Sequence, residues 1–413
     1  MQEQLSTTIT ACRICDDARL ENVLDLGRQP LANSLRLDAS EEQPAIPLII
    51  CRCGNCGTIQ LTETVSPEVL FGEYVWVTGT SQGARDYSQL FYERLLQRTG
   101  EKPLFVVEVA SNDGTFLQRF RQGGHKVLGV DPARNIAAMA EAAGVPTMAE
   151  FFGLDAANQV VAQHGHADAV IARNVVPHVA NANDVIAGIA RCLKPDGVGA
   201  IEFHSADVIL SELHYDSIYH EHLYYHSLHS LGLLLARHGL TPFDVTVSPI
   251  SGGSLVVYFS LTARPQTAEL AQAMAQEQRL GVGDAGAWRA FAERSARHRE
   301  ALRSLVAERA KAGKRVIGYG ASARSSTMLN YCGIGHGELA VVADKNPLKH
   351  GRLTPGTDVR IVSPEDAFAE KPDAVLLLAW NFKDEILKEM ASDRGWHGEV
   401  IVPLPNEPVV LAT

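Results

Sequence analysis

No stretch of this chain approaches the roughly 20 consecutive apolar residues that a membrane-spanning helix needs. Its opening residues, MQEQLSTTIT, carry neither the basic nor the apolar region of a secretory signal. A cytoplasmic protein without membrane contact is therefore expected. Positive charge is scarce too: 37 Lys and Arg stand against 48 Asp and Glu, a formal net charge of −11 with a pI near 5.8. That balance argues against a nucleic-acid binder, which would show basic stripes, and means that an anionic ligand needs its own local cationic pocket. There is no repeat of fixed short period and no low-complexity tract. Cysteine is sparse outside one cluster: of seven, five stand in the first 56 residues (Cys12, Cys15, Cys51, Cys53 and Cys56), with Cys192 and Cys332 isolated. In a reducing compartment such a cluster reads as metal-binding rather than disulfide-forming.

What is present divides the 413 residues into three segments. Residues 1–65 are cysteine-rich and hold too little apolar periodicity for an independent core, so a metal staple fits them. In residues 66–264, short apolar runs (Phe105–Ala110, Lys126–Asp131, Pro146–Phe151, Ala167–Val175, Val198–His204) alternate with helix-length stretches, the signature of a parallel sheet covered on both faces. Two further runs, Phe243–Val247 and Ser254–Ser260, are joined by Pro249-Ile250-Ser251-Gly252-Gly253, too short for a crossover helix. Five parallel strands closed by an antiparallel hairpin is the class I methyltransferase layout, a Rossmann-like α/β fold. Residues 265–413 continue through one or two helices into a second, smaller Rossmann-like α/β unit with strands at Arg315–Gly320, Leu339–Asp344, Ala374–Trp380 and Val400–Pro403.

Four motifs carry chemistry. Cys12-x-x-Cys15 and Cys53-x-x-Cys56 are two knuckles whose four thiolates suit a tetrahedral, structural Zn²⁺, with Cys51 left over. Glu108-Val109-Ala110-Ser111-Asn112-Asp113-Gly114 ends the first parallel strand and enters a helix, where ligands of open α/β sheets bind. Glu108 and Asp113 suit the positive groups of S-adenosylmethionine, the backbone of Ala110, Asn112 and Gly114 suits its carboxylate, and Asp131 suits two ribose hydroxyls. Phe152 flanks the adenine in this reading, and Asn174 follows the fourth strand. An ordinary turn would explain Gly114 alone; the paired acidic positions favour a nucleoside site.

The third motif is a histidine-rich stretch. Six of the 15 histidines lie between His204 and His229, around Tyr219-His220-Glu221-His222. Any one of them is commonly a hydrogen-bonded or surface residue. Together, His178, His204, Tyr219, Glu221 and His222, the last three opening the next helix, are expected to converge on one cleft as general acid/base groups. Metal binding by His220 and His222 is disfavoured, because residues two apart on a helix face different directions. The fourth motif, Tyr319-Gly320-Ala321-Ser322-Ala323-Arg324, follows a strand and opens a helix, where backbone N–H groups and Arg324 could hold a pyrophosphate. Lys345, Trp380 and Asn381 would line the same cleft; a simple helix cap is the bland alternative.

Taken together, the knuckles with Leu26-Gly27-x-x-Pro30-Leu31-Ala32-Asn33, the Ser111–Gly114 loop, Tyr215-Asp216-x-x-Tyr219-His220-Glu221-His222, and Gly318-Tyr319-Gly320-Ala321 with Asp344 resemble the sugar C-methyltransferase family of deoxysugar biosynthesis over essentially the whole chain. The resemblance implies a zinc-binding N-terminal domain, a central S-adenosylmethionine domain and a Rossmann-like C-terminal domain, with a nucleoside-diphosphate 4-keto-6-deoxysugar held between them. It also implies His222 as the base, with Tyr219, Glu221 and His178 near the sugar; because the C4 ketone acidifies its neighbouring carbons, the expected acceptor is C3, with C5, the other flanking carbon, as the alternative. The chain departs from the family pattern at Trp76, where antibiotic-pathway members tend to carry a tyrosine; Tyr74 lies nearby. A monomer or weak homodimer is expected. The rival readings are methyl transfer to oxygen or nitrogen of a small molecule or sugar, and a non-catalytic NAD-binding protein. Against the second stand the missing third glycine after Gly318-x-Gly320 and the absence of a hydride-handling residue.

Overall fold

The computed structural model describes residues 5–71, 77–100, 102–250 and 252–412; Tyr74 and Trp76 lie outside them. At its centre are β1 (Phe105–Val109), β2 (Lys126–Val130), β3 (Thr147–Met148), β4 (Ala167–Arg173), β5 (Leu193–His204), β6 (Thr241–Val247) and β7 (Ser254–Ser260). They form one sheet in the order β3-β2-β1-β4-β5-β7-β6, in which β1 to β5 run parallel and β7 is antiparallel to both neighbours. This is the class I methyltransferase sheet. β1 (FVVEV) is buried at every residue and β4 at all but its last, as strands covered by helices on both faces must be. Gly199 of β5 pairs with Phe259 of β7, whose ring fills the space a Cβ would need, so the hairpin closes tightly against the parallel strands.

β3 is shorter than its apolar run predicts. The amide of Glu150 turns back to the Met148 carbonyl (3.1 Å), and the strand ends there with Phe151 exposed. Because β1 to β5 are parallel, the chain leaves β1, β2, β4 and β5 at one edge of the sheet, which gathers Ser111, Asp131, Asn174 and His204 there.

The N-terminal segment folds as antiparallel strands Leu20–Gln29, Ile46–Cys53 and Ile59–Leu61, and the fourth strand of that sheet, Tyr224–Tyr225, comes from the methyltransferase segment. Leu48, Ile50, Ile59 and Leu61 share one apolar cluster with Leu223 and Tyr224, so the small sheet borrows a core that its own residues do not supply.

The helix expected to open at Tyr219 begins later. Residues 219–223 are turn and loop; the helix is Leu228–Ala236, started by a capping box in which Ser227 Oγ accepts from the Ser230 amide (3.0 Å).

Helix Ala285–Lys311, with Trp288, Phe291, His298 and Leu302 buried, leads to a second sheet. There β8 (Val316–Tyr319), β9 (Val342–Ala343), β10 (Ile361–Val362), β11 (Ala374–Leu376) and β12 (Glu399–Val402) run parallel, and β13 (Val409–Ala412) is antiparallel, in the order β10-β9-β8-β11-β12-β13. β10 and β13 are additions to the strands read from sequence. Among the described residues no helix is long and apolar enough to cross a membrane.

Candidate active site

The thiols of Cys12, Cys15, Cys53 and Cys56 all lie within 4.8 Å of one another, with Cys12···Cys56 at 3.6 Å and Cys15···Cys53 at 3.5 Å. Four sulfurs around zinc at about 2.3 Å stand roughly 3.8 Å apart, so the set fits a closed tetrahedral site. Each knuckle turns an amide onto its first thiol, Ile14 N to Cys12 Sγ and Asn55 N to Cys53 Sγ, both at 3.4 Å, which favours the thiolates a metal requires. Cys51 stands outside the group, and burial pushes its thiol up to about 11. These four are the only cluster of metal-ligand type among the described residues. His220 is turned away to the Pro47 carbonyl (3.3 Å).

The loop after β1 has an unusual backbone. Ala110, Asn112 and Gly114 take φ of +52°, +52° and +76°. Alternate left-handed residues wind the chain as alternate glycines would, so the path of a glycine-rich loop is kept with one glycine. Asparagine tolerates this conformation; alanine pays a steric penalty of about 1–2 kcal/mol. Ala110→Gly is therefore expected to stabilise the protein by about 0.5–1 kcal/mol after the extra freedom of the unfolded chain is subtracted, seen as a higher urea midpoint at unchanged slope. A lower midpoint would mean that the Ala110 methyl group has a packing role that outweighs the strain.

Asp131 at the end of β2 accepts from the amides of Asn112 and Ala133, both at 2.9 Å, and so ties two loops together. Asp113 is engaged within the chain. Its Oδ2 accepts from Gly79 N (2.9 Å) and its Oδ1 from Thr115 Oγ1 (2.8 Å), so the carboxylate caps a helix and holds residues 78–80 rather than standing free. Asn112 Oδ1 likewise accepts from Thr78 N (2.8 Å).

Glu108 behaves differently. It is buried, its Oε2 has no hydrogen-bond partner among the described residues, and Arg173 Nη1 lies 3.8 Å from its Oε1. Arg173 is shared with buried Glu202 (2.9 Å). Burial therefore prevails and raises the Glu108 carboxyl to about 8, against the pull of Arg173. A buried acidic oxygen without a partner beneath a left-handed loop fits a cationic nucleoside such as S-adenosylmethionine. Asn174, φ +50°, is fixed through its amide to the Glu202 carbonyl (2.8 Å). Phe152 packs against Gly188, so the exposed ring at the end of β3 is that of Phe151.

The histidine expected to act as the acid/base group, His222, lies in the loop of residues 214–222. His222 Nδ1 is 2.9 Å from the Ser217 carbonyl, which only accepts, so Nδ1 carries the proton. Nε2 then keeps its lone pair and accepts from the Tyr219 hydroxyl at 2.8 Å. The His178 ring stands edge-on to His222 with centroids 4.8 Å apart. Burial first, then His178, and more weakly His204 and Arg324, hold His222 well below the usual histidine range, with only the Ser217 carbonyl acting upward; it is a neutral imidazole at pH 7. Burial also takes His178 down to about 4 and raises Glu221, a rise opposed by a hydrogen bond from Asn33 Nδ2 (2.6 Å). His204 Nε2 lies 3.3 Å from His214 Nδ1.

On the C-terminal side, the groups expected to hold a pyrophosphate are hydrogen-bonded within the chain. The amide of Ala321 donates to Asp344 (2.7 Å), while Ser322 and Ser325 cap each other's amides at 3.1 and 3.2 Å, so these N–H groups are taken. Tyr319 donates to Glu389 (2.9 Å), and Lys345 pairs with Glu389 (2.7 Å) and Glu385 (3.1 Å). Arg324 and Trp380 meet instead on Asp216, leaving Arg324 Nη1 toward the Gly252 turn, beside which Asn381 stands half-buried. Asn33, Asp216 and Ser217 hold partners that the sequence motifs do not assign to them. Their only signal in the sequence is membership of those motifs, since the Asn33 and Asp216 partners lie 188 and 108 residues away.

A class I sheet with this strand-end loop, and a half-buried neutral histidine at the same edge, is the arrangement of an S-adenosylmethionine-dependent methyltransferase. Family models agree over most of the chain: a zinc binding domain at residues 12–71, a methyltransferase domain at 82–245 and a C-methyltransferase C-terminal domain at 249–405. The chain is 36% identical over 415 residues to the C-methyltransferase NovU of Streptomyces niveus, covering 98% of this chain and 97% of that one. The chain belongs to the C-methyltransferase family. Among solved structures, it is similar to magnesium protoporphyrin IX methyltransferase of Synechocystis with bound SAM, at 15% identity and a TM-score of 0.34 over 44% of this chain and 80% of that one. It is also similar to the CcbJ methyltransferase of Streptomyces caelestis, at 14% identity and a TM-score of 0.35 over 46% of this chain and 100% of that one. The enzyme is thus a C-methyltransferase that uses S-adenosylmethionine and carries zinc on its four cysteines.

Proposed function

We propose that the methyl acceptor is C3 of a nucleotide-linked 4-keto-6-deoxysugar and that His222 removes the C3 proton. The observation that carries this reading is the His222 ring, neutral and with its Nε2 lone pair held ready by the Ser217 carbonyl. A ketone at C4 acidifies the neighbouring C–H. Nε2 takes that proton, the C–H electrons become the enolate, and the Tyr219 hydroxyl, released from Nε2, is a donor for the enolate oxygen. Glu221 and His178 complete the wall around the sugar. S-adenosylmethionine, when bound, supplies the electrophilic methyl group. We assign residues 1–65 to the zinc unit, 66–264 to the donor unit and 265–413 to the unit that covers the sugar nucleotide. In this assignment Glu108, Asp131, Asn174 and the Ala110–Gly114 backbone serve the donor, while His204, Arg324 and Asn381 serve the sugar nucleotide.

The test is product analysis with candidate keto-sugars in deuterated water. A new methyl resonance on carbon, with solvent exchange beside the carbonyl when donor is omitted, is expected; a methoxy resonance would end the reading. A second check concerns Glu108. Its carboxyl, protonated at neutral pH, must ionise to face a cationic donor, so binding at pH 7 should release a proton. Affinity should accordingly rise with pH up to about 8, by at most about tenfold per unit. Calorimetry in two buffers of different ionisation enthalpy measures the release, and Glu108→Gln should abolish it.

A further inference from the structure

Residues 214–222, which carry His222, contain no helix longer than the short turn Tyr215–Ser217, yet all but Tyr219 and His222, which are half-buried, are buried. Much of what holds them comes from the C-terminal half of the chain. Asp216, fully buried, receives Arg324 in a two-pronged grip (Nε to Oδ2 3.0 Å, Nη2 to Oδ1 2.9 Å) and a third hydrogen bond from Trp380 Nε1 (2.8 Å). The guanidinium in turn lies over the Trp380 ring at 4.8 Å. Tyr215 Oη meets His298 Nδ1 at 3.0 Å, and Thr327 Oγ1 donates to the Ile218 carbonyl at 2.9 Å.

Ser217 sits between these anchors, and its carbonyl is the acceptor of His222 Nδ1–H. That acceptor decides which ring nitrogen is basic, because the tautomer of a neutral imidazole follows the hydrogen bond made by its other nitrogen. Without it the proton is free to sit on Nε2, and the lone pair is lost from the cleft. An Arg–carboxylate fork is well suited to fixing a backbone segment, since two parallel hydrogen bonds define an orientation as well as a distance.

We propose that Asp216, gripped by Arg324 and Trp380, is a positioning residue that fixes the tautomer and aim of His222 through the Ser217 carbonyl. The proposal rests on the reading of His222 as the base. It gives the Arg324–Trp380 pair a task beyond any contact with the sugar nucleotide: these side chains join the C-terminal unit to the proton-transfer group, so the base is correctly set only when the two units are docked.

The test uses the full-length, zinc-loaded enzyme. Trp380→Phe removes one of the three hydrogen bonds to Asp216 and keeps a ring under Arg324. Asp216→Asn spoils the fork; because it leaves a buried cation short of its partner and risks unfolding, Trp380→Phe is the primary variant. Nitrogen-15 spectra of labelled histidine report the His222 tautomer without turnover. Nδ1–H is expected in the parent, with an Nε2–H population appearing in Trp380→Phe and a larger one in any folded Asp216→Asn protein. Turnover should fall about tenfold to a hundredfold, as misaimed groups do, while KM and donor affinity stay within about threefold. An unchanged tautomer in Trp380→Phe, together with unchanged turnover or with KM and kcat falling together, overturns the proposal. A shifted tautomer beside a fully active His222→Asn enzyme would instead overturn the base assignment, so the two failures are distinguishable.

Discussion

His222→Asn is expected to lose at least about a hundredfold in turnover while still binding donor and sugar nucleotide. A positioned histidine base contributes on the order of 10² to 10⁴-fold, which sets the floor. Asparagine is the informative replacement because its side-chain amide still donates to the Ser217 carbonyl, the bond that Nδ1 makes at 2.9 Å, so the loop keeps its shape while the lone pair toward Tyr219 disappears. Two measurements are needed together. Single-turnover rates with pre-bound ligands report the chemical step, and exchange of the hydrogen beside the ketone into deuterated water, run without donor, reports proton removal alone. Both should fall in parallel. A variant that still exchanges at the parental rate would transfer the role to Tyr219 or Glu221, and one that turns over normally would remove His222 from the reaction. Because burial, His178, His204 and Arg324 all hold the ring below its usual range, the parent should show no loss of turnover from protonation of His222 until well below pH 6.5.

The parts of the fold that could be read from the sequence are those set by neighbours along the chain. The strands β1, β2 and β4 announce themselves as short apolar runs because both their faces are covered, and β6 and β7 because residues 249–253 leave no length for a crossover. The zinc ligands follow from spacing alone, since a Cys-x-x-Cys turn has few other uses at that density. Less could be read where an element's limit or a side chain's partner depends on something distant. The apolar run from Leu223 drew the predicted helix start back to Tyr219, whereas the capping serine is Ser227. The turn at Ser322 has the letters of a phosphate loop, but Asp344 and Ser325 fill its amides from within. Asp113 looks free until the amide of Gly79 is folded onto it. The Asp216–Arg324 and Asn33–Glu221 contacts had no local signature at all, because each joins parts of the chain that meet only once the whole sheet has formed.

Removing zinc should cost the second-largest effect and should act on turnover rather than on donor binding. The four thiols join residues 12–15 to residues 53–56, and the strand Ile46–Cys53 that ends in the second knuckle carries the Pro47 carbonyl to which His220 is bound. The next strand, Ile59–Leu61, pairs with Tyr224–Tyr225 just beyond His222, and Asn33 from the same segment holds Glu221. The metal thus stands at one end of a framework whose other end is the proton-transfer loop. Isolated zinc-binding peptides draw about 10–16 kcal/mol from their metal. Here the small sheet also packs on the central core, so a smaller loss is expected, but the segment has too few apolar residues of its own to stay ordered. The loop after β1 and Asp131 belong to the ends of the central sheet's strands, not to the small sheet that carries the second knuckle. Chelated enzyme, or Cys53→Ser, should therefore melt at a clearly lower temperature and turn over at least about tenfold more slowly, while S-adenosylmethionine affinity changes by no more than about threefold. Metal content measured alongside should track turnover as zinc is restored to the chelated protein. Full activity in metal-free protein would separate the cysteine cluster from the reaction and reduce it to a local staple; loss of donor binding in step with turnover would mean that the whole chain, not the loop, depends on the metal.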